Sequence, residues 1–559
     1  MNKNDEFELD ITDLSDEGTG IGKKDGFVYF VKDAVPGDHV LAAATKLKKN
    51  YGFARIVKVL RASPDRVQAP CLIARQCGGC QLQQMSYEAQ LRFKEKKVYN
   101  NLLRIGEVPE DALKAVFEPI VGMENPFRYR NKAQFPVAED KSGNIIMGFY
   151  AGRTHAVIPC EDCLLGAPEN KLILETIRHF MLENHIRPYN EVTGKGLVRH
   201  VLIRKGFSSG ELMVCLVING EKLPQQEKLV EALCKLPFKN VSIKSISLSI
   251  NTERTNVIMG RKIVNLYGPG YIEDTIGDVR FRISPLSFYQ VNPVQTEKMY
   301  GAALEFADLH GTENIYDLYC GIGTISLFMS KKAKHVYGVE IVPDAIRDAK
   351  QNASINGITN ADFSVGAAEE VLPAFYEAQK KKAVEVREKI DVISVDPPRK
   401  GCDEACLEAI VGIAPEKIVY VSCDSATLAR DIKYLRAHGY DLKKVRPVDN
   451  FPETVHVETV CLLSKLSEAK SHISVKVEMD EMDLTAAESK ATYQEIQDWV
   501  QEKYGFHVTH LNIAKTKRKC GIIERQNFNL PKSDDSRSPE TQKDKEEAII
   551  EAFRHFQMI

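Results

Sequence analysis

The sequence lacks long apolar runs, an appreciable net charge and any internal repeat. No apolar run in its 559 residues approaches the roughly 18 residues that span a bilayer. Its first residues also lack the apolar core of a signal peptide, so we expect a cytoplasmic protein without membrane contact. Lysine and arginine number 75 against 77 aspartate and glutamate, and this balance gives no hint of a nucleic-acid partner. The 43% of hydrophobic residues excludes a wholly disordered or collagen-like chain.

Cysteine, by contrast, is abundant, with 13 residues. In a reducing compartment these are not expected to form disulfides. Metal ligation, catalysis or plain burial must therefore explain them, and the odd count fits a mixture of these uses.

The length suggests about three or four domains, and the patterns divide accordingly. Short strands with glycine and proline turns predict a small β-barrel over residues 1–62. Residues 63–285 begin with close cysteines and then mix strand and helix patterns, which indicates a central α+β domain. Apolar strands alternate with helices over residues 286–466, which is typical of a mostly parallel, doubly wound sheet. Residues 467–559 form a C-terminal extension of different composition.

The C-terminal extension has its own pattern. A short helix containing Trp499, a turn and a second helix lead into the basic run at residues 515–519. This order indicates either a small winged-helix-like nucleic-acid module or a packed accessory subdomain with a solvated basic face. The sequence leaves both open.

A glycine turn and two acids mark a cofactor site in the doubly wound region. One predicted strand runs into a Gly-x-Gly turn at residues 321–323, the next ends at Glu340, and a third ends at Asp396, before two prolines. Ligands bind at the carboxyl ends of such strands, where an acid can hold ribose hydroxyls. This order is typical of S-adenosylmethionine-dependent methyltransferases. A dinucleotide fingerprint needs a third glycine, and position 326 is Ser326.

Two further segments carry candidate reacting groups. Cys423 lies just beyond an apolar strand, where a cysteine is either a nucleophile or a buried structural residue. His456 and Glu458 are two apart on a strand and so face the same side, either in a site or toward solvent.

Taken together, these segments resemble the RNA (uracil-5)-methyltransferase family. The resemblance covers, in family order and spacing, residues 288–292, 317–323, 396–401, 422–424 and 449–458. One departure is Glu453, where the family usually has Gln, His or Tyr. It lies beside the catalytic strand rather than on the expected reacting groups, so the assignment of activity stands.

The resemblance implies a multidomain α/β fold. Its parts are an N-terminal TRAM barrel of OB-like type, a central RNA-recognition domain with an iron–sulfur segment, and a Rossmann-like methyltransferase domain. It also implies methylation of uridine C5 in 23S ribosomal RNA, with Cys423 attacking uracil C6 and Glu458 acting as base. The expected contacts to S-adenosylmethionine are Gln290, Tyr319, Glu340 and Asp396.

The early cysteines resemble the iron–sulfur segment of the ribosomal-RNA branch of this family. A four-thiolate [4Fe-4S] cluster needs a fourth ligand. The resemblance favours Cys163 over Cys160, and zinc on the same thiolates is the alternative. A radical S-adenosylmethionine cluster is disfavoured because the first cysteine gap is five residues. The first three ligands expected are Cys71, Cys77 and Cys80.

Two other functions remain open at this stage. One is the same chemistry on a transfer-RNA loop, against which the cysteine segment argues, and the other is a non-catalytic RNA-binding assembly factor. The expected partner is RNA, and a monomer is expected. Local basic runs at residues 46–49, 127–132 and 515–519 fit this partner, because acidic stretches such as 478–488 offset them in the total charge.

Overall fold

The computed structural model of the protein describes residues 2–152, 154–381, 389–466, 493–520 and 543–556. The chain divides into two compact units, Met1–Ser467 and Glu468–Ile559. Within the described residues, no helix combines the length and apolar character needed to cross a membrane.

A closed five-stranded barrel begins the first unit. Its strands follow the order β1-β2-β3-β5-β4 around the barrel. In β1, Phe7, Leu9 and Ile11 are buried and the residues between them are exposed, so the alternating pattern fills the barrel interior. This confirms the N-terminal barrel. The strands are β1 (Glu6–Leu14), β2 (Gly20–Lys24), β3 (Phe27–Lys32), β4 (His39–Leu47) and β5 (Tyr51–Arg61).

The cysteine segment, residues 71–80, follows the barrel and leads to two helices. These are α1 (Tyr87–Arg104) and α2 (Glu110–Val116). Ser86 begins α1, because its hydroxyl accepts a hydrogen bond from the Ala89 amide. The apolar stripe of α1 buries Val98 and Leu102 in the core of the methyltransferase region.

A seven-stranded mixed sheet forms the central region, in the order β12-β11-β10-β9-β6-β7-β8. Helices α3 (Glu169–Glu183) and α4 (Gln226–Cys234) contribute Ile173, Ile177 and Leu229 to its core. This is the predicted α+β arrangement. The strands are β6 (Lys132–Glu139), β7 (Ile145–Tyr150), β8 (Val157–Pro159), β9 (Val198–Lys205), β10 (Glu211–Ile218), β11 (Ser242–Ile250) and β12 (Lys262–Tyr267).

A hairpin and a helix connect the central region to a second seven-stranded sheet. The hairpin is β13 (Ile272–Ile276) and β14 (Val279–Ile283), and the helix is α5 (Pro293–Ala307). The sheet has the order β17-β16-β15-β18-β19-β21-β20. Its strands are β15 (Asn314–Leu318), β16 (His335–Glu340), β17 (Ala361–Val365), β18 (Val392–Val395), β19 (Lys417–Ser422), β20 (Tyr440–Val448) and β21 (Glu458–Lys465).

The first five strands in that order are parallel, and β21 runs antiparallel between β19 and β20. One hydrophobic cluster includes Met299 and Ile325, and a second includes Leu407 and Leu428, so both faces of the sheet are covered. The doubly wound prediction is confirmed. The remaining helices are α6 (Thr324–Ser330), α7 (Pro343–Ile355), α8 (Ala368–Lys380), α9 (Glu404–Ile413) and α10 (Ser425–Ala437).

The second unit contains three helices in its described residues, α11 (Tyr493–Tyr504), α12 (His510–Lys519) and α13 (Lys543–His555). Ile496, Ile513 and Phe553 share its small apolar core. The basic run at residues 515–519 lies on α12, and the acidic stretch at 478–488 falls outside the described residues. A nucleic-acid role for this unit stays a prediction.

Candidate active site

Strand register brings the predicted donor residues to one edge of the second sheet. Leu318 on the central strand β15 pairs with Val339 of β16 and with Val395 of β18. The residues that follow these three partners are Tyr319, Glu340 and Asp396. Because the strands are parallel, all three lie in one row at the carboxyl edge of the sheet.

The glycine turn is built from left-handed backbone. Tyr319, Gly321 and Gly323 have φ values of 65°, 56° and 81°. At Gly323 a Cβ atom would also lie 3.1 Å from the Phe363 ring, so the turn needs glycine there. The Glu340 carboxylate accepts hydrogen bonds from the Gly321 amide at 3.2 Å and the Val342 amide at 3.0 Å. The acid is thereby fixed against the turn.

The side chains around this turn fit a nucleoside-containing cofactor. Ile341 and Val342 follow Glu340 and are 63% and 49% exposed, which is unusual for two adjacent apolar residues. An acid that can take ribose hydroxyls thus lies beside apolar surface that suits a base. Gln290 is buried, and its side-chain oxygen accepts a hydrogen bond from the Asn450 side-chain amide at 3.4 Å.

Two acids lie close together here: Asp317 is buried on β15, and the partly buried Asp396 lies at the carboxyl edge. Burial raises the pKa of Asp317 to about 6, against hydrogen bonds from Ser326 that lower it. Burial, and then the charge of Asp317, raise the pKa of Asp396 to about 7. Because ionising both of these acids together is unfavourable, a positively charged ligand such as a sulfonium would be stabilised beside them.

The antiparallel strand places the two candidate reacting residues side by side. Ser422, the last residue of β19, pairs with Thr459 of β21. One residue further along this register, Cys423, which follows the end of β19, lies opposite Glu458, the first residue of β21. Asp424 then caps α10 by accepting hydrogen bonds from the Ala426 and Thr427 amides, which holds Cys423 between a strand end and a helix start.

Burial and neighbouring carboxylates raise the pKa of both groups above the usual values. Burial, followed by the charges of Glu458 and Asp396, raises the pKa of Cys423 to about 12. Burial, followed by Asp396, raises the pKa of Glu458 to about 8. Groups with strongly displaced pKa values that face each other in a site are typical of catalytic machinery.

Arg399 is a site residue that sequence reasoning missed. Its guanidinium is exposed, and its positive charge lowers the pKa of both Cys423 and Glu458 against the other influences. The same charge, after burial, lowers the pKa of His456, which is about 4, so His456 is neutral near pH 7. The signal available in the sequence was the cation that follows the two prolines after Asp396.

A buried ion pair anchors the loop of residues 449–457 between β20 and β21. Lys94 of α1 is fully buried and donates to the Asp449 carboxylate at 2.5 Å and to the Phe451 carbonyl at 3.0 Å. The Tyr87 hydroxyl donates to the same carboxylate at 2.9 Å. The anchored loop contacts Gln290 through Asn450 and leads into Glu458, so it links two of the predicted site residues.

Glu453 occupies the middle of this loop, against the residues that follow the cysteine segment. It has a φ of 68°, and burial raises its pKa to about 7. Gln90 donates to its carboxylate at 3.1 Å, and the amides of Gln81 and Leu82 donate to its carbonyl at 3.0 and 3.1 Å. Glu453, the residue that departs from the family pattern, therefore fixes this loop against the preceding segment.

The five cysteines that sequence reasoning considered for a metal site are neighbours. The thiol of Cys160 hydrogen-bonds Cys163, and the charge of Cys163 contributes to the raised pKa of Cys77 and of Cys80. Cys71 acts electrostatically on Cys77 and Cys160. Across the described ranges, however, no group of three or more His, Cys, Asp or Glu side chains is placed to hold a metal ion.

The doubly wound sheet, the left-handed glycine turn and the fixed acid on the next strand together define an S-adenosylmethionine-dependent methyltransferase. Comparison with known proteins narrows the class. The profile of the tRNA (uracil-5-)-methyltransferase family matches residues 209–466, and that of the TRAM domain matches residues 2–57. The chain belongs to this uracil-5 methyltransferase family.

Relatives cover most of the chain. It is 50% identical over 464 residues to an uncharacterized RNA methyltransferase of Halalkalibacterium halodurans, which covers 83% of this chain and 98% of that protein. A relative from Clostridium tetani, also described as an RNA methyltransferase, is 44% identical and covers 84% and 98%. The crystal structure of Pyrococcus abyssi tRNA (uracil-54, C5)-methyltransferase with S-adenosyl-L-homocysteine is 27% identical, with a TM-score of 0.64, covering 82% of this chain and 100% of that one.

Proposed function

We propose that the protein methylates C5 of a uridine in 23S ribosomal RNA, acting as a monomer through a covalent adduct with Cys423. The observation that carries this proposal is the register that sets Cys423 beside Glu458 at the edge that holds the glycine turn. Nucleophile, base and donor site all come from one chain. The expected donor contacts are Gln290, Tyr319, Glu340 and Asp396.

Uracil C5 is a poor nucleophile, and Cys423 overcomes this by adding to C6. Formation of the sulfur–C6 bond moves an electron pair onto C5 and O4, and C5 then takes a methyl group. The sulfur–methyl bond of the sulfonium donor breaks as the C5–methyl bond forms, and the sulfur keeps the electron pair and leaves as a neutral thioether. Glu458 next removes the proton from C5, the sulfur–C6 bond breaks, and the ring double bond returns with Cys423 as the leaving thiolate.

The displaced pKa values set two requirements for this sequence. With a pKa of about 12, Cys423 must lose its proton as the uridine binds, and we infer that the nearby Arg399 stabilises the thiolate. With a pKa of about 8, Glu458 is a carboxylate in only about a tenth of the free molecules at pH 7. Glu458 must therefore lose its own proton before it can take the one on C5, and its raised pKa then makes the carboxylate a stronger base.

The need for Cys423 to reach C6 of the uridine indicates which kind of RNA is the substrate. A base must leave its stack before C6 can reach a thiol, and unpaired loops reduce that cost. The resemblance of the cysteine segment to the ribosomal-RNA branch favours ribosomal RNA. A transfer-RNA loop is the second candidate, supported by the name of the matching family and by the substrate of the Pyrococcus abyssi enzyme.

The test is to locate the methyl group. Purified protein and labelled methyl donor are incubated with total RNA from a strain in which the gene is deleted, so that the target uridines are unmodified. We expect label in 5-methyluridine of 23S ribosomal RNA, absent from a reaction with heat-inactivated protein. Label confined to transfer RNA would reassign the substrate, and no labelled uridine in either RNA would overturn the proposed activity.

We also propose a [4Fe-4S] cluster held by Cys71, Cys77, Cys80 and Cys163. Each iron of such a cluster takes one thiolate, so the four sulfurs surround it and do not meet at one ion. A single zinc ion would need them about 2.3 Å from one point. The neighbouring thiols, together with the resemblance of their segment to the iron–sulfur segment of the ribosomal-RNA branch, support the cluster.

The choice between Cys163 and Cys160 gives a direct test. The resemblance favours Cys163 as the thiolate ligand, and the Cys160 side chain, followed by the Leu165 and Gly166 amides, lowers the pKa of Cys163 against its burial. Protein purified without oxygen should contain four irons per chain, the Cys163→Ser variant fewer, and the Cys160→Ser variant the full number. Full iron in Cys163→Ser would move the ligand to Cys160, and zinc without iron in the parent protein would reject the cluster.

A further inference from the structure

Helix α10 begins directly after the candidate nucleophile. Cys423 follows the end of β19, Asp424 caps the helix, and the helix itself spans Ser425–Ala437. Because the cap joins the helix to the end of the strand, the first turns of α10 have a fixed position relative to the thiol. A segment bonded to these turns is therefore also held in place beside Cys423.

The segment that α10 holds is the one that carries Arg399, and we name residues 397–402 the Arg399 turn. The Arg430 guanidinium, in the second turn of α10, donates to the Lys400 carbonyl at 3.0 Å and to the Cys402 carbonyl at 2.9 Å. These bonds satisfy two backbone carbonyls that lie outside regular structure, because the Arg399 turn connects β18 to α9.

Asp431, the next residue of α10, fixes the end of the Arg399 turn. Its carboxylate is fully buried and accepts hydrogen bonds from the Cys402 amide at 2.9 Å and from the Tyr420 hydroxyl of β19 at 2.6 Å. Its second oxygen accepts a hydrogen bond from Arg430 Nε at 2.8 Å. Because displacement of the turn would leave a buried carboxylate short of a partner, Cys402 has one position on α10.

Thr427, in the first turn of α10, makes the contact to Arg399 itself. Its hydroxyl lies 3.2 Å from the Arg399 carbonyl and 3.2 Å from the Asp424 carbonyl, so one O–H bridges the turn and the helix cap. Gly401 permits the close approach of the turn to the helix: it has a φ of 76°, and a Cβ atom there would be 2.7 Å from the Asp431 carboxylate. The bridge thus runs from Arg399 to the residue that caps the helix.

This placement matters because of the charge that Arg399 carries. Burial, and then the charges of Glu458 and Asp396, raise the pKa of the Cys423 thiol, and the charge of Arg399 lowers it. The Arg399 side chain is exposed, so water screens its charge, and its distance from the thiol decides how strong its effect is. The backbone position of Arg399 sets that distance.

We propose that Thr427 is a positioning residue, which holds Arg399 where its cation stabilises the Cys423 thiolate. Thr427 acts through the Arg399 carbonyl and takes no part in the chemical steps. The inference rests on the proposed function in taking Cys423 as the nucleophile, but the reactivity of this thiol can be measured without RNA or methyl donor.

The test measures how fast Cys423 reacts with iodoacetamide at about pH 8 in the full-length protein. The reagent is uncharged and reacts with the thiolate form, and mass spectrometry of the peptide that contains Cys423 separates this reaction from that of the other cysteines. A rise in the pKa of the thiol lowers the thiolate fraction, and a higher nucleophilicity offsets part of that loss. Arg399→Gln should lower the rate about fivefold and Thr427→Val about threefold. Thr427→Ser keeps the hydroxyl and should react as the parent does.

The matched control is Thr176→Val. Thr176 on α3 donates to the Leu172 carbonyl of its own helix at 2.8 Å, so this variant also loses a hydroxyl within a helix. Because Thr176 belongs to the central region, its replacement should leave the rate at Cys423 unchanged.

A double variant separates positioning from any direct effect of Thr427 on the thiol. In the Arg399→Gln protein, Thr427→Val should lower the rate no further, because the cation that Thr427 positions is absent. A loss of about threefold that persists in that background would overturn the inference. Methylation gives a second readout: the kcat of Thr427→Val should fall about threefold, while its KM for the methyl donor stays that of the parent.

The outcomes distinguish this inference from the proposed activity. If Thr427→Val reacts with iodoacetamide as fast as Thr176→Val does, the positioning role is overturned even when methylation is intact. It is also overturned if Arg399→Gln reacts as the parent does. The expected pattern of rates, in a protein that methylates no uridine, would keep the positioning role and reject the enzyme.

Discussion

A Cys423→Ala variant should lose uridine methylation by at least about 10⁴-fold, because no other group can add to C6 and activate C5. Cys423 lies at the end of β19, in electrostatic contact with Glu458 and Asp396. The measurement is transfer of labelled methyl to RNA. On RNA containing 5-fluorouridine, which has no C5 proton to remove, the parent protein should form a stable adduct on a denaturing gel, and the variant should form none.

The control for this experiment is another cysteine. Cys234 ends α4 in the central region and is exposed, so Cys234→Ala should retain both methylation and adduct formation. RNA affinity of Cys423→Ala, measured without donor, should remain near that of the parent, since the loss is chemical. Full methylation by Cys423→Ala would eliminate the covalent mechanism, and an adduct that persists would assign the nucleophile to a different residue.

The parts of this site that sequence alone predicts are those carried by contiguous residues. The strand, the Gly-x-Gly turn and α6 follow one another without a break, so their local pattern identifies the donor site. Glu340 and Asp396 end separate strands, but parallel strands with short connections share one edge, and this too can be predicted. The barrel can be predicted equally well, because the alternating burial in β1 and the glycine turns are local features of the sequence.

Contacts across long stretches of chain could not be predicted in this way. Lys94 and Asp449 are 355 positions apart, and a lysine on an amphipathic helix is ordinarily expected at the surface. The pairing of Ser422 with Thr459 depends on an antiparallel strand inserted between β19 and β20, which no local period reveals. The segments identified Cys423 and Glu458, and only the register shows that they are adjacent.

The effect of Arg399 on the reacting residues could not be predicted for a different reason. Its position in the Asp-Pro-Pro-Arg turn is plain in the sequence, but its effect depends on how far Cys423 and Glu458 are buried. Because burial excludes the water that would screen a charge, a nearby cation shifts the pKa of these groups more than it would in water. Such an effect is a property of packing and not of the motif.

A Glu458→Gln variant should transfer one methyl group and then stop with the RNA covalently attached. The amide cannot take the C5 proton, so Cys423 cannot leave, and turnover should fall by at least about 10³-fold while the methylated adduct accumulates. The measurement is a denaturing gel with labelled donor and natural RNA, which should show label in a protein–RNA band. The parent protein should show label in free RNA alone.

The pH dependence gives the same residue a second readout. Because Glu458 has a pKa of about 8, raising the pH from 7 to 8 increases its carboxylate fraction about fivefold, and the turnover of the parent should rise accordingly. Glu453→Gln is the matched control, since Glu453 is also buried, has a pKa of about 7 and lies five residues earlier. That variant should keep this rise and accumulate no adduct.

Asp396 is the alternative base, because it lies partly buried at the same edge and has a pKa of about 7. Its expected role in the donor site predicts a different defect: Asp396→Asn should raise the KM for the methyl donor and leave no methylated adduct. Accumulation of the adduct in Asp396→Asn, together with normal turnover in Glu458→Gln, would transfer the role of base to Asp396. Because Glu458 enters β21 directly beside Cys423, and Asp396 follows the strand next to the glycine turn, we expect the adduct in Glu458→Gln.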